Sequence, residues 1–497
     1  MMMRKTKLYS ILLVLFICII SIVGCSGGDP AAADSADTTP AEGADTTEET
    51  TTEMAVADVP DSDFEGHTFT IINIDYSIPI WAQRDIYSEG QNGDIINDSV
   101  YVRNTAVEDR FNCTIASRQV LDTIAELNKF ISSGDSGVDF ATVPLNRFSI
   151  IANTGGLVEY SNIPYINLDA PWWDSSSVES LSVANKLFAA CSDITIMDKS
   201  ATTAMVFNKQ LAEDYSVSNI YETVLKGEWS VDKLIELSML VSADIDGNGI
   251  YDDNDSYGFL YQRDTMSSFL SGCGGFVAEK DENDLPIMTL YTPKNITILD
   301  KLYDFLYNEQ YCFHVMKFFD PKPEGFTDGM TRMFKNNQAL FMWIRMADVE
   351  NLRAMDTDFG ILPIPKYDTA RENYLQTVNP YVGTVVVVPQ SVENLERVGI
   401  FLEALSAESR KVLLPAYYDI MLTGKLTRDE ESLEMLDIIF NNRVYDVGDI
   451  YNFGDIGGQL ISMTMTFNRD MSSKYQSLEP AINAAIEKLV AAYSELE

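Results

Sequence analysis

The sequence predicts an α/β protein whose body is divided into two lobes, set behind an N-terminal leader and a polar spacer. Three observations predict it. Strand-like and helix-like patterns alternate through residues 64–216. The body, residues 64–497, is too long for one small core. A late β-branched run, TVVVVP at 384–389, is followed by a third of the chain that is rich in helical patterns.

The leader reads MMMRKTKLYSILLVLFICIISIVGCSGG. Arg4, Lys5 and Lys7 precede an apolar run from Ile11 to Ile20, which is shorter than the roughly 20 apolar residues that span a bilayer. Residues 1–24 therefore read as a signal peptide. Ile22-Val23-Gly24-Cys25 resembles the bacterial lipobox, which implies that Cys25 is lipidated and becomes the first mature residue. The alternative is a plain signal peptide in which Cys25 is incidental. Either way the mature chain is expected outside the cytoplasm, and with the lipid it is expected on the extracytoplasmic face of the cell membrane.

Residues 26–63 carry eleven Asp or Glu and no Lys or Arg among Ala, Thr, Ser, Pro and Gly. Such a segment cannot bury enough apolar surface to offset chain entropy. Residues 25–63 are thus expected to form a disordered acidic linker behind the anchor.

Acidity continues into the body. The whole chain has 75 Asp and Glu against 35 Lys and Arg, a formal net charge of −40. This argues against nucleic acid and against a polybasic membrane patch, both of which need clustered Lys and Arg. Cys18 and Cys25 belong to the export segment; Cys113, Cys191, Cys273 and Cys312 are far apart and form no CxxC pair. Two disulfides or four buried thiols both fit, and thiols are favoured because a chain of this length needs no staple. With two histidines, His67 and His314, there is no HExxH motif and no histidine for a GxSxG triad. GxxxxGK[ST] and GxGxxG are absent too.

The body opens with HTFTIINI (67–74), which reads as a buried strand, and NDSVYVRNTAVEDRF (97–111) as a helix capped by Asn97 or Asp98. CTIASRQV (113–120) reads as a strand, LDTIAELNKFISSG as a helix ending at Gly134, and VDFATV (138–143) as a strand followed by the short helix NRFSIIANTG. Asp98 and Arg103 are expected on a helix surface. This order argues for a largely parallel sheet. ATTAMVFN (201–208) is a further strand running into the helix KQLAEDYS. TVVVVP reads as a central strand. ENLERVGIFLEAL, RDEESLEMLDIIFN and EPAINAAIEKLVAAY carry helical apolar spacing.

Several stretches resemble the extracellular solute-binding proteins of ABC importers, and more narrowly the sugar-type group that includes maltose-binding proteins. AMVFNKQLAEDY is similar to that family's crossover from strand to helix, and GEWSVDKLIELS to its Trp-led helix start. MFKNNQALFMWI resembles its Phe-x-x-Gly-x-Ala-Ala-Met segment, with Asn337 in place of the glycine. DFGILPIPK resembles its Gly-x-x-Pro-x-Pro return. The likeness runs through most of 64–497 and is densest over 200–400. It implies a periplasmic-binding-protein-like fold of type II with a helical C-terminus. Lobe 1 is then expected over 64–200 plus about 379–425, and lobe 2 over 201–378 plus about 426–497. It also implies a monomer that closes on a small solute, most simply an oligosaccharide or sugar, and delivers it to an ABC permease without chemistry.

One local motif stands apart. In DIDGNGIYDDND, Asp244, Asp246, Asn248, Asp252 and Asp255 occupy positions 1, 3, 5, 9 and 12 of an EF-hand-type loop. Gly249 sits at the turn and Ile250 at the carbonyl-donating position 7. The spacing wraps oxygens around a hard cation, so Ca2+ is the expected cofactor. The bland alternative is a solvated acidic turn. No second loop pairs with it, so a structural staple is expected rather than a sensor.

Sugar clefts use aromatic platforms and planar polar groups. Tyr76 and Trp81 after the first strand, Trp172 and Trp173 in DAPWWD, and Trp343 after ALFM are the candidate platforms. Asn146 and Arg147 in PLNRF, Asp198 before the crossover strand, and Arg345 are the polar candidates, several of them placed by the family likeness. Against each stands an ordinary role: core packing for a tryptophan, a surface ion pair for an arginine. Two rival functions remain: an extracellular enzyme acting on glycans through paired carboxylates, and a calcium-dependent surface adhesin.

Overall fold

The computed structural model describes residues 56–75, 83–319, 326–422 and 430–496, all within one compact unit, residues 54–497. Two sheets organise it. The first has strand order β9-β3-β1-β2, where β1 is His67–Ile74, β2 Cys113–Val120, β3 Phe140–Pro144 and β9 Thr384–Val387. The second has order β8-β4-β7-β5-β6, with β4 Thr203–Asn208, β5 Tyr257–Tyr261, β6 Cys312–His314, β7 Ala339–Arg345 and β8 Phe359–Leu362.

Both sheets are mixed. β1 runs parallel to β2 and β3, while β9 is antiparallel to β3. β5 is parallel to β6 and β7, while β4 is antiparallel to β7 and β8. TVVVVP is not central: β9 lies at the edge of its sheet, its outer side met by a bridge from Ala190 to Val386. Its apolar character comes from burial on both faces, and facial burial does not report lateral position in a sheet.

Helix α1 (Ile95–Phe111) begins two residues earlier than its pattern implied. The cap is Asp94, whose carboxylate accepts the Asn97 N–H at 2.9 Å, an exchange worth about 0.5–2 kcal/mol. Asp98 instead accepts the N–H of Asn92 in the preceding turn. Arg103 is not on the surface. It is fully buried, because α2 (Leu395–Leu422) packs along α1. Its guanidinium donates to the carbonyls of Ile86 and Ile194, to the Asn104 amide oxygen and to the Ser409 hydroxyl. Phe401 of α2 stacks on Phe69 of β1, joining that helix to the sheet.

In the second sheet, alternation sorts side chains to two cores. Met205, Phe207, Phe341 and Trp343 join the larger apolar cluster, and Ala204, Val206, Met342 and Ile344 the smaller. Asn337, where the resembling family has glycine, adopts φ +58°, a conformation that asparagine tolerates. Its side-chain oxygen accepts from Asn208 and Thr357. Cys113, Cys191, Cys273 and Cys312 are free and buried thiols.

Among the described residues, the stretches at 200–203 and 376–384 pass between the sheets, and they run against each other through a Thr202–Val378 bridge. The Asn379 N–H donates to the Ala201 carbonyl at 3.0 Å, Met346 to Thr202 at 2.9 Å, and Asn146 to Pro380 at 3.1 Å. The ends of β3 and β7 are thereby tied to one hinge. The last helix, Met471–Glu495, touches both lobes: Tyr475 stacks on Tyr291 and Tyr493 packs edge-on against Phe188. No helix among the described residues is long and apolar enough to cross a membrane.

Candidate functional site

Parallel strands that end on one edge leave a crevice beyond their carboxyl ends. Here β1 and β3 of the first lobe end toward the hinge, as β7 of the second does. A cavity of about 560 Å³ lies beside that crossing. Its first-lobe wall is Arg84, Asp85, Ile96 and Tyr417; Ile196, Met197 and Ser200 come from the approach to the hinge; Thr327, Asp328, Arg345, Ala347, Asp348, Glu350 and Asn351 form the second-lobe wall.

Both walls of the cavity carry both signs of charge. The Arg345 guanidinium is nearly buried and donates to the Asp348 carboxylate at 2.7 Å. Arg84 reaches across from the other lobe to Glu350 at 3.5 Å. Asp85 is buried behind them: one carboxylate oxygen, Oδ2, accepts from the Thr195 hydroxyl at 2.7 Å and the Ile196 N–H at 2.6 Å. Burial raises its pKa above that of an ordinary aspartate, against those hydrogen bonds and the charge of Arg103. Gln83 and Thr142 extend the network, since Gln83 donates to Thr195 and accepts from Thr142.

The expected site residues scatter around this cavity. Arg345 lines it. Asn146 sits at the hinge through its backbone, and Arg147 pairs with Asp122 at 3.2 Å on a partly exposed face. Tyr76 and Trp81 lie outside the described residues. Trp172 and Trp173 are 3% exposed, and their indole N–H groups donate to the two oxygens of Glu403 at 3.0 and 2.9 Å. That geometry makes them core anchors of the first lobe. Trp343 is fully buried within β7, beside Met205 in register, so its ring fills the core and does not face the cavity.

Asp198 is fully buried in an ion network. The Lys199 ammonium lies 2.9 Å from Asp193 and 3.0 Å from Asp198; Arg443 pairs with Asp174 and stands 3.6 Å from Asp198; Arg410 reaches Asp193 at 2.9 Å. Burial alone would depress the lysine pKa, but Asp193 and Asp198 hold it above the ordinary value. These groups edge a second, polar cavity of about 260 Å³. On another flank of the hinge, Asp264, Asn379, Tyr381 and Asp449 meet; burial, with the charges of Asp446 and Asp264, raises the pKa of Asp449.

Sequence reasoning missed Arg84, Asp85, Asp348, Glu350 and Tyr417. QRD at 83–85 directly follows the aromatic candidates and was the available signal; nothing in the string distinguishes a buried aspartate from a solvated one.

The DIDGNGIYDDND loop is closed at its base by the Ala243–Ser256 bridge. One carboxylate oxygen from each of Asp244, Asp246 and Asp255 lies within 4.8 Å of the others. Asp244 accepts the N–H groups of Gly247 and Gly249, both at 2.8 Å, and Gly249 adopts φ +78°, which favours glycine. Asp255 is fully buried and holds the Ile245 and Asp252 N–H groups. Arg332 and Gln338 tie Asp253 to the second lobe. Convergent hard oxygens on a wrapped loop fit a divalent cation of the Ca2+ kind.

No protein-family model matches the chain, and no curated protein matches it. Solved structures do. UspC of M. tuberculosis is 14% identical with a TM-score of 0.56, over 84% of this chain and 100% of that one. A cyclo/maltodextrin-binding protein complexed with maltotetraose is 11% identical with a TM-score of 0.54, over 86% and 97%. An ABC substrate-binding protein from Listeria monocytogenes in complex with cycloalternan is 12% identical with a TM-score of 0.51, over 87% and 100%. At these identities the likeness establishes the architecture: this chain has the two-lobed, periplasmic-binding-protein-like α/β fold with a helical C-terminus.

Proposed function

We propose that the protein is a receptor for a carbohydrate, an oligosaccharide or sugar, which it captures between its lobes and hands unchanged to an ABC permease. The observation that carries this reading is the placement of the cavity of about 560 Å³ between two lobes joined by the paired crossings at 200–203 and 376–384. Ligand can favour closure only through contacts that the open form lacks. Arg84 and Glu350 stand 3.5 Å apart on facing walls, so a solute held beside them would contact both lobes at once. Two of the similar structures are carbohydrate complexes, which supports the ligand class. The leader ending in Ile22-Val23-Gly24-Cys25 supports export and a lipid anchor on the extracytoplasmic face of the membrane.

The reading is tested by thermal unfolding of residues 25–497 against neutral oligosaccharides, monosaccharides, amino acids and peptides. A ligand at 100 times its Kd adds about 2.7 kcal/mol. A sugar that raises the Tm and is recovered uncut supports a receptor; a sugar that is cleaved supports the glycan-acting enzyme and sinks the proposal.

The acidic loop is proposed to hold Ca2+ through Asp244, Asp246, Asn248, the Ile250 carbonyl, Asp252 and Asp255. The ion would supply charge neutralisation and rigidity, with no part in ligand chemistry. Sites of this kind outside cells bind with Kd of about 10⁻⁴–10⁻³ M, so 10 mM Ca2+ should add about 1.4–2.7 kcal/mol. Calorimetric titration checks it: Asp244→Ala should abolish the heat of binding, and a wild-type chain that unfolds identically with Ca2+ and with chelator would remove the site.

A further inference from the structure

Asp85 stands apart from the paired charges of the cavity. It is 1% exposed and lines the cavity, yet only Oδ2 is engaged; Oδ1 has no hydrogen-bond partner among the described residues. Buried polar atoms in folded proteins nearly always find a partner. The side chain is also held in place: Thr195 and Ile196 fix Oδ2, and Gln83 in turn donates to Thr195. Arg103, the cation whose charge acts on Asp85, donates to Asn104, Ser409 and the carbonyls of Ile86 and Ile194, and makes no hydrogen bond to Asp85 among the described residues.

The remaining charge of the cavity points the same way. Its two guanidiniums, Arg84 and Arg345, are matched by Glu350 and Asp348. Asp85 and the exposed Asp328 are left over, and the lining is therefore net negative. An acceptor fixed in a net-negative, half-enclosed site takes a hydrogen-bond donor and repels an anion.

We propose that Asp85 is the specificity-determining anchor of the cavity, its Oδ1 accepting a hydrogen bond from a hydroxyl or ammonium of the solute, so that the site takes neutral or amino glycans and rejects uronates and phosphosugars. The inference rests on the receptor reading above and deepens it. No covalent bond is made or broken; the solute donor supplies the partner that Oδ1 lacks among the described residues.

The test uses the chain without its leader, residues 25–497, with maltotriose, xylotriose, mannotriose, a glucosamine trimer and trigalacturonate as probes, with calorimetry for Kd and melting curves for folding. Asp85→Asn keeps an oxygen for Thr195 and Ile196 but replaces the anionic acceptor with an amide donor. Loss of at least about tenfold in affinity for a neutral or amino probe, with the ligand-free Tm little changed, supports the proposal. Equal affinity in the variant overturns it while leaving a carbohydrate receptor standing. If only a non-glycan amine such as spermidine binds, and through Asp85, the acid keeps its role and the carbohydrate reading falls. Should the variant fail to fold, the wild-type series decides: neutral or amino probes above trigalacturonate support the anchor, and the reverse order overturns it.

Discussion

Replacing Glu403 by alanine is expected to destabilise the protein by about 3–5 kcal/mol. The carboxylate is 1% exposed and holds two indole N–H groups, those of Trp172 and Trp173. Removing it strands both donors in the core, each at a desolvation cost of about 1–3 kcal/mol, and leaves a hole beside two large rings. Part of that loss is offset because burial already disfavours the ionised acid, whose pKa is raised. Glu403→Gln, which keeps one good acceptor, should cost roughly half as much. Urea unfolding with an unchanged m-value measures both. Solute affinity per folded molecule should stay as in the wild type, because these tryptophans line no part of the cavity between the lobes. A stable alanine variant that has lost its ligand would reverse the assignment and return the pair to a platform role.

Asp198→Ala is expected to cost about 3 kcal/mol, near the lower end for breaking a buried ion pair. The lower end applies because the two cations keep other partners: Lys199 retains Asp193 and Arg443 retains Asp174. What is lost is the shared acid between them, in a place solvent does not reach. High salt should therefore change the penalty little, unlike that of a surface pair. Pairing the exchange with Lys199→Met should recover part of the stability, and the double-mutant cycle gives the coupling directly. A variant that melts like the wild type yet binds solute poorly would restore Asp198 to the ligand site.

These two cases show where the string of residues was legible. β1 was, because a β-branched run of that length flanked by turns has few other uses. The turn geometry of the acidic loop was too, since its oxygens are placed by spacing within twelve residues. Trp172 and Trp173 were not, because a ring at a loop reads alike whether it stacks on a solute or on its own core. Their role is decided by Glu403, some 230 positions downstream. Arg103 failed in the same way: an arginine in a helix reads as surface, and only the packing of α2 over α1 buries it. Local chemistry was readable where its partners are local.

The edge position of β9 has a consequence for how the molecule is made. The second sheet is complete once Leu362 has been synthesised, whereas the first waits for the segment Thr384–Val387 to pair with β3. Partners so far apart in the chain close slowly. The sheet that is begun first is thus finished last, and in the interval β3 stands with one bare edge, an open template for any strand that passes. A chain delivered N-terminus first, from a ribosome or through a pore, is exposed to mispairing at that edge for as long as residues 145–383 take to emerge.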